Sequence, residues 1–258
     1  MEIAVIGGAQ SWAATARLNG VRVLARPLSE GEAIVMGDLG IETVPDYPDF
    51  FERLEFPRLY ILDLPCGAGI DEVIDTAYVT MEPGDLVVDL SPSYWGDTLR
   101  RWRRMRHRSI FYVDASRLGG DLLISGDARG LDLARPRLQR VVGDNAVVDV
   151  GEAGAAHYAA MVQDSLLVAC AQAQSEAHQL LEAFPGGIDP RPVRTRLRRD
   201  GPEGGRGEWA AEDALRLQAV IPLLAQAAMQ EMADALDAQQ LYPSPPRLGP
   251  FVRPEDLG

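Results

Sequence analysis

Glu2-Ile3-Ala4-Val5-Ile6-Gly7-Gly8 leads directly into a helix-compatible stretch from about Ser11 to Leu18, and Val21 to Ala25 is again apolar and β-branched. A short apolar run closed by two glycines, followed by a helix and a second apolar run, reads as strand, tight turn, helix, strand. The alternation continues outward. Leu59 to Leu64, Leu86 to Leu90, Ile110 to Asp114, Leu122 to Ser125 and Ala146 to Val150 have strand character, and Asp71 to Met81 and Asp97 to Arg106 have helix character between them. Runs that are apolar throughout, rather than at every second residue, belong to strands covered on both faces. The fold class expected for residues 1–150 is therefore α/β, a Rossmann-like and mainly parallel sheet domain.

The pattern changes after Gly151. Ala153 to Phe184 is rich in Ala, Leu, Gln and Glu, and no proline interrupts it before Pro185-Gly186-Gly187. A helix of about 30 residues spans about 45 Å, long enough to bridge domains or pack against a second chain. Pro190 to Gly207 reads as an Arg-, Gly- and Pro-rich loop, Ala210 to Leu236 as a second helix kinked at Pro222, and residues 242–258, with five prolines, as an extended tail. An all-helical domain over residues 151–241, built around one long interdomain helix, is expected to follow the sheet domain.

The bulk composition excludes several classes. Of 258 residues, 47% are hydrophobic and 24% charged, the balance of a globular protein. A net charge of -13 argues against nucleic acid or an anionic membrane as a generic partner. The chain contains no lysine, so no Schiff base, ammonium base or ammonium–phosphate contact is open to it. Cys66 and Cys170 stand far apart, giving neither a disulfide framework nor a metal cluster. A reducing, cytoplasmic location is expected. The amino terminus reads as a strand rather than a leader, and no apolar run reaches the roughly 20 residues of a membrane helix.

A dinucleotide-binding turn needs G-x-G-x-x-G. The first glycine makes the turn, the second admits the pyrophosphate, and the third lets the helix pack on the strand. Here Gly7 and Gly8 open the turn, but Ala9 stands at the second position and Trp12 at the third. The context fits a nucleotide site while the contacts are weakened; the other reading is a turn that kept its topology and lost its ligand. Ala25 and Arg26 follow the second strand where an acid would hold the ribose of NAD, so a bound nucleotide would be NADP, with Arg26 on its 2′-phosphate, unless Arg26 is an ordinary surface arginine. Pro65 and Cys66 lie on the next strand-end loop, where a cofactor would pass.

Five segments, taken in order, resemble the decarboxylating 6-phosphogluconate dehydrogenase family of the β-hydroxyacid dehydrogenase superfamily. Glu82-Pro83-Gly84-Asp85-Leu86-Val87-Val88-Asp89 is similar to the family's "EPGDIIID". Ser93-Tyr94-Trp95-Gly96-Asp97-Thr98 is similar to "NSYYKDT" without its asparagine. Tyr112-Val113-Asp114 precedes a shortened Gly119-Gly120 loop, and Gly151 to Val162 is similar to "GPSGAGHFVKMV". Gly207-Glu208-Trp209 is similar to part of "GEGRWT". The resemblance runs to about residue 236.

It implies a lysine base and a glutamate acid on the long helix, and a homodimer formed through that helix. At the matching positions this chain has Ala160 and Leu167, with Val168 for the family's tyrosine, Pro92 for the asparagine and Leu118 for the serine before the double glycine. Proton removal from the substrate hydroxyl and protonation of the enediol both lose their residues. The resemblance therefore implies the family's architecture without its reaction.

His157 keeps its family identity. Asp164 stands seven residues on, so helical spacing puts both on one face; imine reductases, similar in fold, carry a polar group on this helix. Candidate catalytic residues are thus His157, Asp164 and Tyr94, and Ser93, Gly119 and Gly120 are candidates to line the substrate cleft between the domains. The dense run Arg100, Arg101, Arg103, Arg104, Arg106 and Arg108 reads as a phosphate patch or, more simply, as an exposed helix offsetting neighbouring carboxylates. Two functional classes remain open. One is an enzyme, NADP-dependent or redox-independent, acting on a small molecule other than 6-phosphogluconate, for instance in a biosynthetic pathway; the other is a non-catalytic binding or scaffold protein.

Overall fold

The structure, a computed structural model, describes residues 1–7, 10–65, 69–194 and 214–238. Gly8, Ala9, Cys66, the Gly207-Glu208-Trp209 segment and the proline-rich tail lie outside the described residues. The chain divides into two compact units, Met1–Ser165 and Leu166–Gly258, so the boundary falls inside the long helix.

The first unit opens with β1 (Glu2–Gly7), α1 (Gln10–Leu18), β2 (Arg22–Arg26), α2 (Glu30–Asp38), β3 (Glu42–Thr43) and α3 (Pro48–Arg53). There follow β4 (Leu59–Asp63), α4 (Gly69–Tyr78), β5 (Leu86–Asp89), α5 (Trp95–Arg106), β6 (Phe111–Leu118), β7 (Asp121–Gly126), α6 (Ala128–Val142) and β8 (Val147–Asp149). One eight-stranded sheet holds them in the order β3-β2-β1-β4-β5-β6-β7-β8. Strands β1 to β6 run parallel; β7 pairs antiparallel with β6 and parallel with β8. The expected α/β class and mainly parallel sheet are present.

Both faces of the sheet are buried, as the continuous apolar strands require. Ile3, Val5, Val88 and Val113 pack on one face with Trp12 and Ala13 of α1 and Leu138 of α6. Ala4, Ile6, Tyr60, Leu62 and Val87 pack on the other with Phe50, Ile74 and Met105. Local signals set the helix ends. The Ser29 hydroxyl accepts from the Glu32 amide at 3.2 Å to cap α2, and the Glu32 carboxylate accepts from the Leu28 amide at 2.7 Å.

Strand β6 runs further than its sequence suggests. Asp89, the last residue of β5, pairs with Asp114, and β6 continues four residues beyond it to Leu118, paired only with β7. Gly119 and Gly120 form the turn between these strands, with φ of 62° and 99°. A two-residue hairpin turn that needs positive φ at both positions selects Gly-Gly.

The long helix, α7 (Ala155–Glu182), has 28 residues. Beyond it lies a short helix, α8 (Pro190–Arg194), where a loop is expected. Pro222 does not kink a longer helix. Residues 214–217 are helical, Gln218 has φ of 56°, and Pro222 begins a new helix, α9 (Pro222–Ala238). A proline at a first helical position lacks only an N–H that would have no intrahelical partner. The next two amides are capped from a distance: the Glu176 carboxylate accepts from Leu223 at 3.1 Å and Leu224 at 2.8 Å. Burial opposes its charge, but Gln172 and these two amides hold its carboxyl below the ordinary value.

Candidate functional site

In open α/β sheets ligands bind beyond the carboxyl ends of the strands, at the point where strand order reverses. Here that point is the end of β1 and β4. Gly7 has φ of 103°, and a Cβ on it would meet the Asp63 carbonyl oxygen at 2.2 Å, so no other residue fits. Gly8 and Ala9 lie outside the described residues. Trp12, in the first turn of α1, is 4% exposed and belongs to the core. Its position, read as one that should hold glycine, is filled by a buried indole. The exposed Arg117 of β6 lies over this ring, 4.1 Å from its centroid.

Arg26 ends β2, in register with Ile6 of β1. Its guanidinium lies 4.4 Å from the Tyr47 ring centroid, and its Nε is buried without a hydrogen-bond partner among the described residues. It is thus a half-buried arginine at the strand end, held over an aromatic ring. Pro65 is exposed, and its neighbour Cys66 lies outside the described residues.

Asp63 ends β4. Burial pushes its carboxyl up to about 6, against the pull of Arg117, while Glu32 and Asp89 add to the rise. A carboxyl whose value is raised on folding holds its proton more tightly in the folded chain. Its contribution to stability is full below about pH 4 and is lost as pH rises through about 6. Asp63→Asn should remove this slope and gain roughly 1 kcal/mol on the wild type between pH 4.5 and 7.5, solvent screening of the partly exposed carboxyl reducing the full linkage value. Urea unfolding at the two pH values measures it, and equal differences at both would refute it.

Behind β5, Ser93 accepts from Nη1 of Arg101 at 2.8 Å. Arg101 is 3% exposed and grips Asp71 of α4 with two hydrogen bonds, of 2.9 and 3.0 Å. These bonds hold the Asp71 carboxyl down to about 2. Arg100 and Arg104 of the same run bind Asp71 and Asp75. The run therefore offsets carboxylates, as its simpler reading expects, but Arg101 is an internal tie and not an exposed charge. Asp89, fully buried, accepts from the Tyr112 hydroxyl and, at 2.9 Å, from the Ser91 amide. Tyr94 precedes α5, is 59% exposed, and its ring meets that of Trp95 at a tilt of 56°, with centroids 5.7 Å apart.

His157 is 2% exposed. Its Nε2 lies 3.1 Å from the Asp89 carbonyl, which can only accept, and its Nδ1 lies 2.7 Å from the Thr98 hydroxyl. Both ring nitrogens are spent on the sheet domain, so the side chain ties the start of α7 to β5 and α5. Thr98 links it to Tyr94, whose carbonyl accepts from the Thr98 amide at 3.2 Å. Asp164 is exposed, so the seven-residue spacing does not give it the surroundings of His157. Gly119 and Gly120 sit at the hairpin tip, where their backbone conformation is explained by the turn.

Asp114, named in the sequence only as part of a strand and of the Tyr112-Val113-Asp114 segment, is not among the candidate site residues. It is fully buried in β6 and accepts from Ser125 Oγ at 2.7 Å, the Gly154 amide at 2.8 Å and the His157 amide at 3.2 Å. Ser125 Oγ in turn accepts from Ala156 at 2.8 Å. These groups satisfy the free amides at the start of α7. A carboxylate inside an apolar strand is itself the signal, since a buried charge demands partners. The ties also explain why the first turns of α7 belong to the first unit.

No family model matches the chain. In sequence it is similar to the decarboxylating 6-phosphogluconate dehydrogenase of Salmonella typhimurium, 24% identical over 91% of this chain and 60% of that protein. The chain thus spans less than two thirds of the length of that relative. Its fold is shared with an imine reductase from Streptomyces aurantiacus, with a TM-score of 0.70 and 16% identity over 91% of this chain and 95% of that one. It is also shared with the 6-phosphogluconate dehydrogenase of Plasmodium falciparum, solved alone, with NADP+ and with 6-phosphogluconate. There the TM-score is 0.67 and the identity 14%, over 97% of this chain and 67% of that one. The resemblance expected from the sequence and the dehydrogenase-like fold both stand. Among the described residues no helix is long and apolar enough to cross a membrane.

Proposed function

We propose, with that shared fold as premise, that this chain is a diverged relative of the 6-phosphogluconate dehydrogenases that does not oxidise 6-phosphogluconate. It binds or transforms another small molecule at the carboxyl ends of its strands, without a dinucleotide. The observation that carries this is the buried Trp12 at the glycine turn, with Arg117 stacked on it. Ala160 and Leu167, where the resemblance implies base and acid, support it further. Neither a methyl nor an isobutyl group transfers a proton.

A second reading, an NADP-dependent oxidoreductase of imine reductase or hydroxyacid dehydrogenase type, is favoured by Arg26, whose guanidinium lies over the Tyr47 ring and whose Nε lacks a partner among the described residues. Calorimetric titration with NADP and NAD separates the two. No saturable heat is expected with either up to about 1 mM, an affinity worth about 4 kcal/mol. Saturable NADP binding that Arg26→Ala abolishes would overturn the first reading in favour of the second.

A homodimer through α7 is part of the proposal. Tyr158, Val162, Leu166, Leu167 and Val168 of this helix are 49% to 69% exposed, an apolar surface that a second copy would cover.

A further inference from the structure

We propose that Arg117, seated on the Trp12 indole, is an anion-binding residue that holds a carboxylate or phosphate group of the ligand. This rests on the reading that the strand-end site takes a ligand other than 6-phosphogluconate, and it names the chemistry of that ligand.

The position of Arg117 follows from the extension of β6. Alternation along the strand puts it on the same face as Val113 and Ala115, towards α1. It lies three residues past Asp114, on the part of the hairpin that overhangs the end of β5. Its guanidinium is therefore carried over the strand ends, where it meets Trp12.

The pair has the character of a receptor. Arginine keeps its charge and presents five N–H donors in a plane, a fork that matches carboxylate or phosphate. The guanidinium carbon lies over the indole ring, 4.1 Å from its centroid, a cation–π contact that spends none of the N–H donors on a hydrogen-bond acceptor. Several arginines of this acidic chain meet carboxylates, as Arg58 meets Asp85, Arg101 meets Asp71 and Arg104 meets Asp75, whereas Arg117, like Arg26, Arg106 and Arg129, lies over an aromatic ring. Arg117 makes no hydrogen bond or ion pair among the described residues. Asp63 feels its field without bonding to it, and the charges of Glu32 and Asp89 oppose ionisation of the same carboxyl. An anionic ligand on Arg117 would therefore meet the field of Asp63.

The test uses the full chain at constant ionic strength, titrated with sodium phosphate and separately with sodium acetate. Binding is followed by calorimetry and by tryptophan fluorescence. Saturable binding in the millimolar range is expected, with a fluorescence change that Trp12→Phe removes. Arg117→Ala should weaken it about tenfold or more, and Asp63→Asn should strengthen it several-fold. Arg117 is exposed, so its variant should fold, which thermal unfolding checks. A preference for phosphate identifies a phosphorylated ligand, and a preference for acetate identifies a carboxylate. Unchanged affinity in Arg117→Ala, or no saturation by either anion up to roughly 50 mM, overturns the proposal. Nucleotide binding that Arg117→Ala leaves intact would instead count against the dinucleotide-free reading alone.

Discussion

Mixed with 6-phosphogluconate and NADP, the purified chain is expected to form NADPH at least about 10⁴-fold more slowly than an authentic decarboxylating enzyme assayed beside it. Loss of one general acid or base costs about 10²–10⁴ in rate, and the resemblance puts Ala160 and Leu167 at both positions. Ala160 presents a methyl group on the early part of α7. Leu167 and Val168 are 50% and 69% exposed hydrocarbon. No lysine elsewhere in the chain can take over, because the chain has none. Ala160→Lys alone should not restore turnover, since the acid is still missing and Trp12 still occupies the glycine position. Turnover within about a hundredfold of the authentic enzyme would show that other groups supply both proton transfers, and would sink the central claim.

The second large effect concerns stability. Asp114→Ala should cost about 3–5 kcal/mol in urea unfolding. The side chain accepts from a hydroxyl and two amides, all of which would be left buried without a partner. Each unsatisfied donor costs about 1–3 kcal/mol. Against a domain stability of about 5–15 kcal/mol this is a large fraction, and partial unfolding at 37 °C is the expected phenotype. Asp114→Asn, which keeps one acceptor oxygen, should cost less. Hydrogen exchange at residues 154–157 supplies a local reading, since those amides should lose protection first. A loss below about 1 kcal/mol in Asp114→Ala would show that the long helix is anchored by other means.

The sheet was legible because burial on both faces writes itself as continuous apolar runs, as in Ile3 to Ile6 and Leu86 to Val88. The long helix was legible for a similar reason, since no proline or glycine pair interrupts it. What escaped was set by distant partners. In sequence β6 reads as ending at Asp114, because Ser116 and Arg117 are polar; only the pairing with β7 carries it to Leu118. Arg117 was missed with it. His157 carried the right identity for a catalytic residue, but its surroundings depend on Thr98 and the Asp89 carbonyl, 59 and 68 residues away. Pro222 suggested a kink because the cap that starts a helix there, Glu176, lies 47 residues before Leu223. The glycine turn shows the opposite case. Ala9 and Trp12, where a dinucleotide turn needs glycine, are legible in the sequence, and the structure adds that Trp12 is buried.

The Gly119-Gly120 turn has a consequence for engineering. A Cβ on either residue would meet nothing within 4 Å, so the hairpin tip borders open space. New chain could be inserted there without displacing any described side chain, and doubling the length of a flexible insert adds only about 0.6 kcal/mol of closure entropy. The tip also stands directly beyond Arg117, on the overhang above the strand ends. It is the natural grafting point for giving this scaffold a recognition loop of its own.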